Sequence, residues 1–407
     1  MATAAPGRPT SPPPAAPADA PRSPLVSWLA VVSVALGIFV IVTTEILPIG
    51  LLTTIGADFT VSEGTAGLMM ALPGILAAVS APLVTAALGT TDRRPVLAAF
   101  VLLLAVANFL AAAAPSYWLV LLSRVLVGIS IGGFWSVGAG LAARLVPAAS
   151  VGRATAVIFS AVPLGSVLGV PLGTYVGSTA GWRTAFLTMA LLTLAVLALL
   201  LLALPPLPPQ RPANLSVLGD LLRTPATRYA LAVTFLVVLA HFGAYTYVTP
   251  FLEQVPRLDP DLVTGCLLIY GAAGIAGTFL AGSTVSRAPR AAFGCAAALI
   301  AVATLALSVF GHWGMGAVAL LIVWGVAYGA VPVCSQTWFA RAAPGATEAS
   351  SVLFTSSFQA TIALGALAGG TVVDHASTSA VMAAGGATAL VAVLVVGVGV
   401  RRVGVVG

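Results

Sequence analysis

Apolar stretches of about 20 residues, the length a helix needs to cross the hydrocarbon core of a bilayer, recur twelve times along this chain. They lie near 28–53, 65–89, 96–114, 117–140, 152–177 and 183–204, then near 228–252, 262–283, 291–310, 315–339, 349–372 and 378–399. No water is available in lipid to satisfy backbone N–H and C=O groups, so runs of this length fold as helices. A soluble helical protein does not fit: 59% of the 407 residues are hydrophobic and 7% charged, where a soluble domain carries roughly 25% charged residues. The expected fold class is an all-α integral membrane protein with twelve transmembrane helices.

The polar segments between the runs set the organisation. Residues 1–24 hold eight Pro among Ala, Ser and Thr and read as a disordered cytoplasmic tail. The run from Trp28 to Thr53 is too long for a signal-peptide core and reads as an uncleaved first helix. A Pro-rich stretch, 205–227, separates a six-helix bundle at 25–204 from a second at 228–400, with 401–407 as a short C-terminus. All 17 basic residues are Arg, and fourteen fall in segments that are cytoplasmic if the amino terminus is inside. Only Arg183 and Arg257 fall outside, and Arg124 lies within a span. The positive-inside rule therefore puts both termini in the cytoplasm of a multi-pass protein, and the Arg-, Ala- and Gly-rich coding points to a bacterial cell membrane. The net charge of +6 forms no basic stripe, so no nucleic-acid partner is expected. Cys266, Cys295 and Cys334 have neither the number for a disulfide framework nor the spacing of a metal site.

The two halves resemble each other at a nearly constant offset, the mark of a parallel repeat. Thr44-Glu45-Ile46-Leu47-Pro48 in span 1 matches Thr246-Tyr247-Val248-Thr249-Pro250 in span 7, an offset of 202 (246 minus 44). Gly128, Gly132, Arg144 and Pro147 match Gly325, Gly329, Arg341 and Pro344, an offset of 197 (325 minus 128). Two pseudo-symmetric six-helix bundles follow.

With these motifs the chain resembles the major facilitator superfamily, over nearly all of residues 28–400. The strings that carry the resemblance include Gly89-Thr90-Thr91-Asp92-Arg93-Arg94 between spans 2 and 3, a reduced form lacking the second Gly-Arg pair, and Ser123-Arg124-Val125-Leu126-Val127-Gly128 in span 4. In span 5, Gly165-Ser166-Val167-Leu168-Gly169-Val170-Pro171-Leu172-Gly173 approximates the pattern of proton-driven antiporters, with Pro171 one place late. Within the superfamily the chain looks most like the drug:proton antiporter branch, and in particular like bacterial purine ribonucleoside efflux pumps, through Thr44 to Pro48, Ser62-Glu63-Gly64, Gly132-Gly133-Phe134-Trp135 and Val331-Pro332-Val333. Arabinose-efflux-like and chloramphenicol-resistance transporters share part of it. The resemblance implies a monomeric secondary transporter that exports a small amphipathic solute, a purine nucleoside or drug-like compound, in exchange for protons by alternating access. It implies no cofactor beyond the proton gradient. Export of a chloramphenicol-like antibiotic or a sugar, and proton-coupled import, stay open. An enzyme is not expected, because His241, His312 and His375 are far apart and no His-Glu-x-x-His pattern occurs.

The residues supply candidates for each role. A carboxylate inside a span costs roughly 2.5–3.5 kcal/mol or more, so Glu45 needs a cavity or a partner. Counted from the ends of their spans, Glu45 and Arg124 lie at similar depth, ~12 Å and ~10 Å in. Proton coupling through Glu45 with Arg124 tuning it, a structural ion pair, and a lipid-interface position for Glu45 are the three readings. His241 and Tyr245, one turn apart in span 7, are expected to bind substrate, with Asn108, Trp135, Gln336 and Gln359 as further candidates; each is equally an ordinary interhelical contact. The resemblance implies that Asp92, Arg93 and Arg94 belong to a gating loop. Gly165, Gly169 and Gly173, every fourth residue, form a flat stripe with Pro171 as a bend, either a contact that prevents leak during rocking or simple close packing.

Overall fold

The computed structural model describes residues 24–87, 91–138, 141–208, 216–285, 287–342 and 347–402. The proline-rich tail at 1–23, Gly89, Thr90, Arg211, Pro344 and 403–407 lie outside the described residues.

Among the described residues, twelve helices are long and apolar enough to cross a membrane. Spans 1 to 6 are Pro24–Asp58, Glu63–Ala87, Arg93–Ala112, Tyr117–Gly138, Ala148–Ala180 and Trp182–Ala203. Spans 7 to 12 are Pro225–Tyr245, Pro260–Thr284, Pro289–Phe310, Gly314–Ala342, Val352–His375 and Thr378–Val398. Local chemistry sets several ends. Ser62 caps span 2 by accepting from Thr65 N at 3.1 Å, and Asp92 caps span 3 by accepting from Arg94 N at 2.8 Å. Spans 5 and 6 turn at Gly181, whose φ of +84° favours a residue without Cβ. The segment expected as a plain linker contains a short helix, Ser216–Arg223.

Spans 1 and 7 both break where the apolar run does not. Helix Pro24–Ile46 gives way to a 3-10 turn at Leu47–Leu51 and resumes at Leu52–Phe59. In the second half, Pro225–Tyr245 is followed by Val248–Gln254. Pro48 lies in the first break and Pro250 in the first turn of the helix after the second, and proline offers no N–H to the carbonyl four residues back.

The repeat is spatial as well as sequential. A Cβ on Gly128 would meet Pro73 O at 2.5 Å, and one on Gly325 would meet Tyr270 O at 2.3 Å. Gly132 likewise lies against Ala77 O of span 2, and Gly329 against Gly274 O of span 8. Span 4 thus packs on span 2 as span 10 packs on span 8, through glycines that let the backbones touch. The halves meet along spans 2 and 11, where a Cβ on Gly74 would meet Gln359 O at 2.5 Å, and along spans 5 and 8, where one on Gly271 would meet the Val167 backbone at 2.9 Å.

Candidate functional site

A cavity of about 310 Å³ lies between the halves, with Glu45 and Gln359 at mid-depth and Trp135, Ala340 and Ser350 towards the Arg-rich ends of spans 4, 10 and 11. Of the sequence-expected residues it gathers Glu45, Trp135, Gln336 and Gln359. Its remaining wall is mostly aromatic and aliphatic, the usual make-up of a site for a small organic molecule. Trp135 stands beside Phe159 with ring centroids 6.1 Å apart.

Glu45 is buried, and its Oε1 accepts from Gln359 Nε2 at 2.9 Å. That bond joins span 1 of the first half to span 11 of the second. An ion pair with Arg124, one of the three readings of Glu45, is not formed. Arg124 instead donates Nη2 to the carbonyl of Thr44 at 2.9 Å, the carbonyl that Pro48 leaves without its helical N–H. Successive side chains on a helix diverge by ~100°. Thr44 is held towards span 3, where Asn108 Nδ2 donates to its hydroxyl at 3.1 Å, and Glu45 faces the cavity. Arg124 is fully buried with its guanidinium 5.9 Å from the Phe186 ring centroid, within cation–π range. Its Nε and Nη1 have no hydrogen-bond partner.

Asn108, His241 and Tyr245 are buried but do not line the cavity. Asn108 is committed to Thr44 and to Leu104 O at 3.1 Å. His241 Nδ1 accepts from Trp324 Nε1 at 3.1 Å, and its ring stacks on Tyr245 and Tyr328. Tyr328, which sequence reading passed over, does reach the cavity wall. The available signal was position: Tyr usually marks membrane interfaces, whereas Tyr245, Tyr270 and Tyr328 sit within apolar runs.

The expected gating residues bond to the end of span 6 and the stretch after it. Leu207 N donates to Asp92 at 3.1 Å, and Arg93 N donates to Leu207 O at 3.0 Å. Arg94 reaches Leu201 O, and Arg144 donates to Pro208 O at 2.6 Å. Together they clasp the end of span 6. Burial, then the neighbouring Arg93 charge, holds the Arg144 guanidinium below its usual range, while Asp92 opposes that shift. The glycine stripe also faces inwards: Cβ atoms on Gly165, Gly169 and Gly173 would meet Val42, Ile46 and Leu47 of span 1 at 3.0, 2.8 and 2.8 Å. Its flat face seats span 5 on span 1, while Val167 on another face meets the second half.

At the Arg-poor end the halves are bonded together. Thr249 donates to Ile49 O at 2.8 Å and Thr53 to Glu253 Oε1 at 3.2 Å. Asp374 accepts from the Ser62 hydroxyl at 2.7 Å and from Gly64 N at 2.9 Å, and Gln254 donates to Glu63. Burial pushes the Glu253 carboxyl above its usual range; the Thr53 hydrogen bond opposes this and the Glu63 charge adds to it.

A model described as the Major Facilitator Superfamily matches residues 34–359. The transcription regulatory protein OpdE of Pseudomonas aeruginosa is 34% identical over 370 residues, covering 90% of this chain and 92% of that protein. The purine ribonucleoside efflux pump NepI of Salmonella paratyphi A is 32% identical over 375 residues, covering 92% of this chain and 94% of the pump. Among solved structures, the human organic anion transporter MFSD10 superposes with a TM-score of 0.68 at 20% identity, over 92% of this chain and 100% of that one. A D-xylose-proton symporter superposes with a TM-score of 0.69 at 18% identity, over 91% of this chain and 96% of that one.

Proposed function

The chain belongs to the Major Facilitator Superfamily, and from that premise we propose that this membrane transporter exports a small amphipathic solute, a purine nucleoside or drug-like compound, in exchange for protons. The observation that carries the reading is the hydrogen bond from Gln359 to Glu45 across the two halves, inside the central cavity. A bond to an ionised carboxylate is roughly twice as strong as one between neutral groups. Protonation of Glu45 therefore weakens a contact between the halves, which links proton binding to their relative position. Arg124, one peptide away on Thr44 O, keeps positive potential beside the carboxylate.

The orientation with both termini in the cytoplasm makes the Arg-rich end the inner face. In that orientation the cavity opens inwards and the bonds at the Arg-poor end close the outer face, the arrangement that loads solute from the cytoplasm. Trp135 and the neighbouring aromatic wall suit a flat apolar face, and Gln336 and Gln359 suit hydrogen-bonding groups on the solute. The near-full-length similarity to a purine ribonucleoside efflux pump supports the substrate class. The transporter acts as a monomer in a bacterial cytoplasmic membrane, with the proton gradient as its energy source.

The test is uptake into inverted membrane vesicles carrying an imposed pH gradient, with inosine, adenosine and chloramphenicol as solutes. Gradient-dependent accumulation of at least one is expected. If none accumulates, the substrate class is wrong.

A further inference from the structure

Behind Tyr328, on the side away from the central cavity, lies a column of rings that the cavity does not reach. His241 is 1% exposed. Tyr328 stacks on it with centroids 3.4 Å apart and planes at 6°, and Tyr245 lies at 5.0 Å and 21°. Tyr270 continues the column against Tyr245 at 4.6 Å and 24°. Trp324 meets His241, Tyr245 and Tyr270 edge-on.

Two polar atoms of this column have nothing to bond. Trp324 Nε1 can only donate, so His241 Nδ1 is the acceptor and the hydrogen of the neutral ring sits on Nε2. His241 Nε2 is buried without a partner, and so is the Tyr270 hydroxyl, on a residue 6% exposed. A native core seldom leaves two such groups together unless something fills them.

The ring that separates them from the cavity sits on a weak point of its helix. Tyr328 lies between Gly325 and Gly329, and Pro332 offers no N–H to the Tyr328 carbonyl. Tyr328 and Phe242 belong both to this cluster and to the cavity wall.

We propose that Tyr328 is a gate and that the column behind it is a recognition niche for a planar heteroaromatic ring carrying a hydroxyl-bearing substituent, as in a nucleoside. When the Tyr328 ring swings into the cavity, the solute ring takes its place on His241. A substituent set across the plane of that ring passes the edge of the imidazole and brings its hydroxyls to His241 Nε2–H and the Tyr270 hydroxyl. This rests on the export of a small aromatic solute proposed above and names the part of the solute that the second half reads.

The test is a binding titration on the detergent-purified full chain, following the emission of Trp324, isolated by difference from Trp324→Phe. The probes are inosine, hypoxanthine, which has the ring without the sugar, and D-ribose. Inosine is expected to quench saturably and D-ribose not at all. His241→Phe keeps a ring but has no N–H, so inosine binds about tenfold more weakly, the loss of one hydrogen bond, and hypoxanthine is unchanged. Tyr328→Leu removes the gate. If the gate is open about a tenth of the time, inosine binds about tenfold more tightly, where a residue that only lined the site would weaken binding. Weaker inosine binding in Tyr328→Leu overturns the gate, and an equal effect of His241→Phe on inosine and hypoxanthine overturns the niche. Vesicles that accumulate inosine although it never quenches Trp324 also overturn the niche and leave the export reading standing. Vesicles that accumulate none of inosine, adenosine and chloramphenicol, beside a protein that still shows the predicted quenching pattern, sink the export reading and leave the niche.

Discussion

The two halves share a frame and differ in what fills it. In both, paired glycines on the fourth helix of the half lie against backbone of its second, Gly128 and Gly132 on span 2, Gly325 and Gly329 on span 8. In the first half that frame surrounds a charged core: Arg124 on the Thr44 carbonyl, Asn108 on the Thr44 hydroxyl, and Glu45 facing the cavity. In the second half the position matching Arg124 at the offset of 197 is Leu321 (124 plus 197), which is buried and apolar. In place of a charged core it holds an aromatic column, His241 with Tyr245, Tyr270, Trp324 and Tyr328. A duplicated scaffold has thus kept its packing and diverged in chemistry, with charge on one side of the cavity and stacking surfaces on the other. The only described bond joining the charged core to the second half within the cavity is Gln359 to Glu45.

The shared frame can be broken first. A Cβ on Gly329 would meet the Gly274 carbonyl oxygen at 1.9 Å, which cannot rotate away. On Gly132 the nearest atom is the rotatable Ser80 hydroxyl at 2.0 Å, with Ala77 O at 2.7 Å. Gly329→Ala is expected to cost about 3 kcal/mol and Gly132→Ala about half that, read as melting temperatures of purified protein. Gly282→Ala, with nothing within 4 Å, serves as the control. Equal losses at Gly132 and Gly282 would break the equivalence of the frames.

The difference in filling predicts the next effect. His241→Phe leaves the fully buried Trp324 N–H without an acceptor, a loss of about 2 kcal/mol in thermal stability. Asn108→Leu removes one interhelical bond together with an Oδ1 that has no partner, and is expected to cost less, about 1 kcal/mol. The opposite order would mean that the charged core, not the aromatic column, is the more tightly satisfied.

A smaller effect tests the bonds at the Arg-poor end. Burial raises the Glu253 carboxyl where the halves are closed, and separation of the halves returns it to water and its ordinary range near 4. The closed state therefore binds the proton more tightly. Its advantage is full below the ordinary range and is lost as pH rises through the raised value. Distances between spin labels on the Arg-poor ends of the two halves should shift towards the closed state as pH falls. In Glu253→Gln that pH dependence should shrink, and an unchanged profile would remove Glu253 from the closure.

Most of the fold was legible because lipid imposes a single rule, about 20 apolar residues per span, and the chain obeys it twelve times. The repeat was legible through Gly128 and Gly325, whose role needs no side chain. The breaks after Ile46 and Tyr245 were not, since hydropathy continues across them and only Pro48 and Pro250 hint at a change. Glu45 stood out as a charge that twelve apolar helices do not need, but its partner did not. Gln359 lies 314 residues away, and depth along span 1 pointed to Arg124, which the open Thr44 carbonyl takes instead. The ring column draws on spans 7, 8 and 10, so no local motif could announce it.

The central claim is that Glu45 couples proton movement to the two halves. Glu45→Gln in inverted vesicles tests it most directly, by comparing exchange of labelled for unlabelled inosine with accumulation driven by a pH gradient. The account predicts that exchange persists, because the cavity is intact, and that gradient-driven accumulation falls to the level of vesicles without the transporter. Accumulation at the wild-type level, with the wild-type dependence on the gradient, would contradict it.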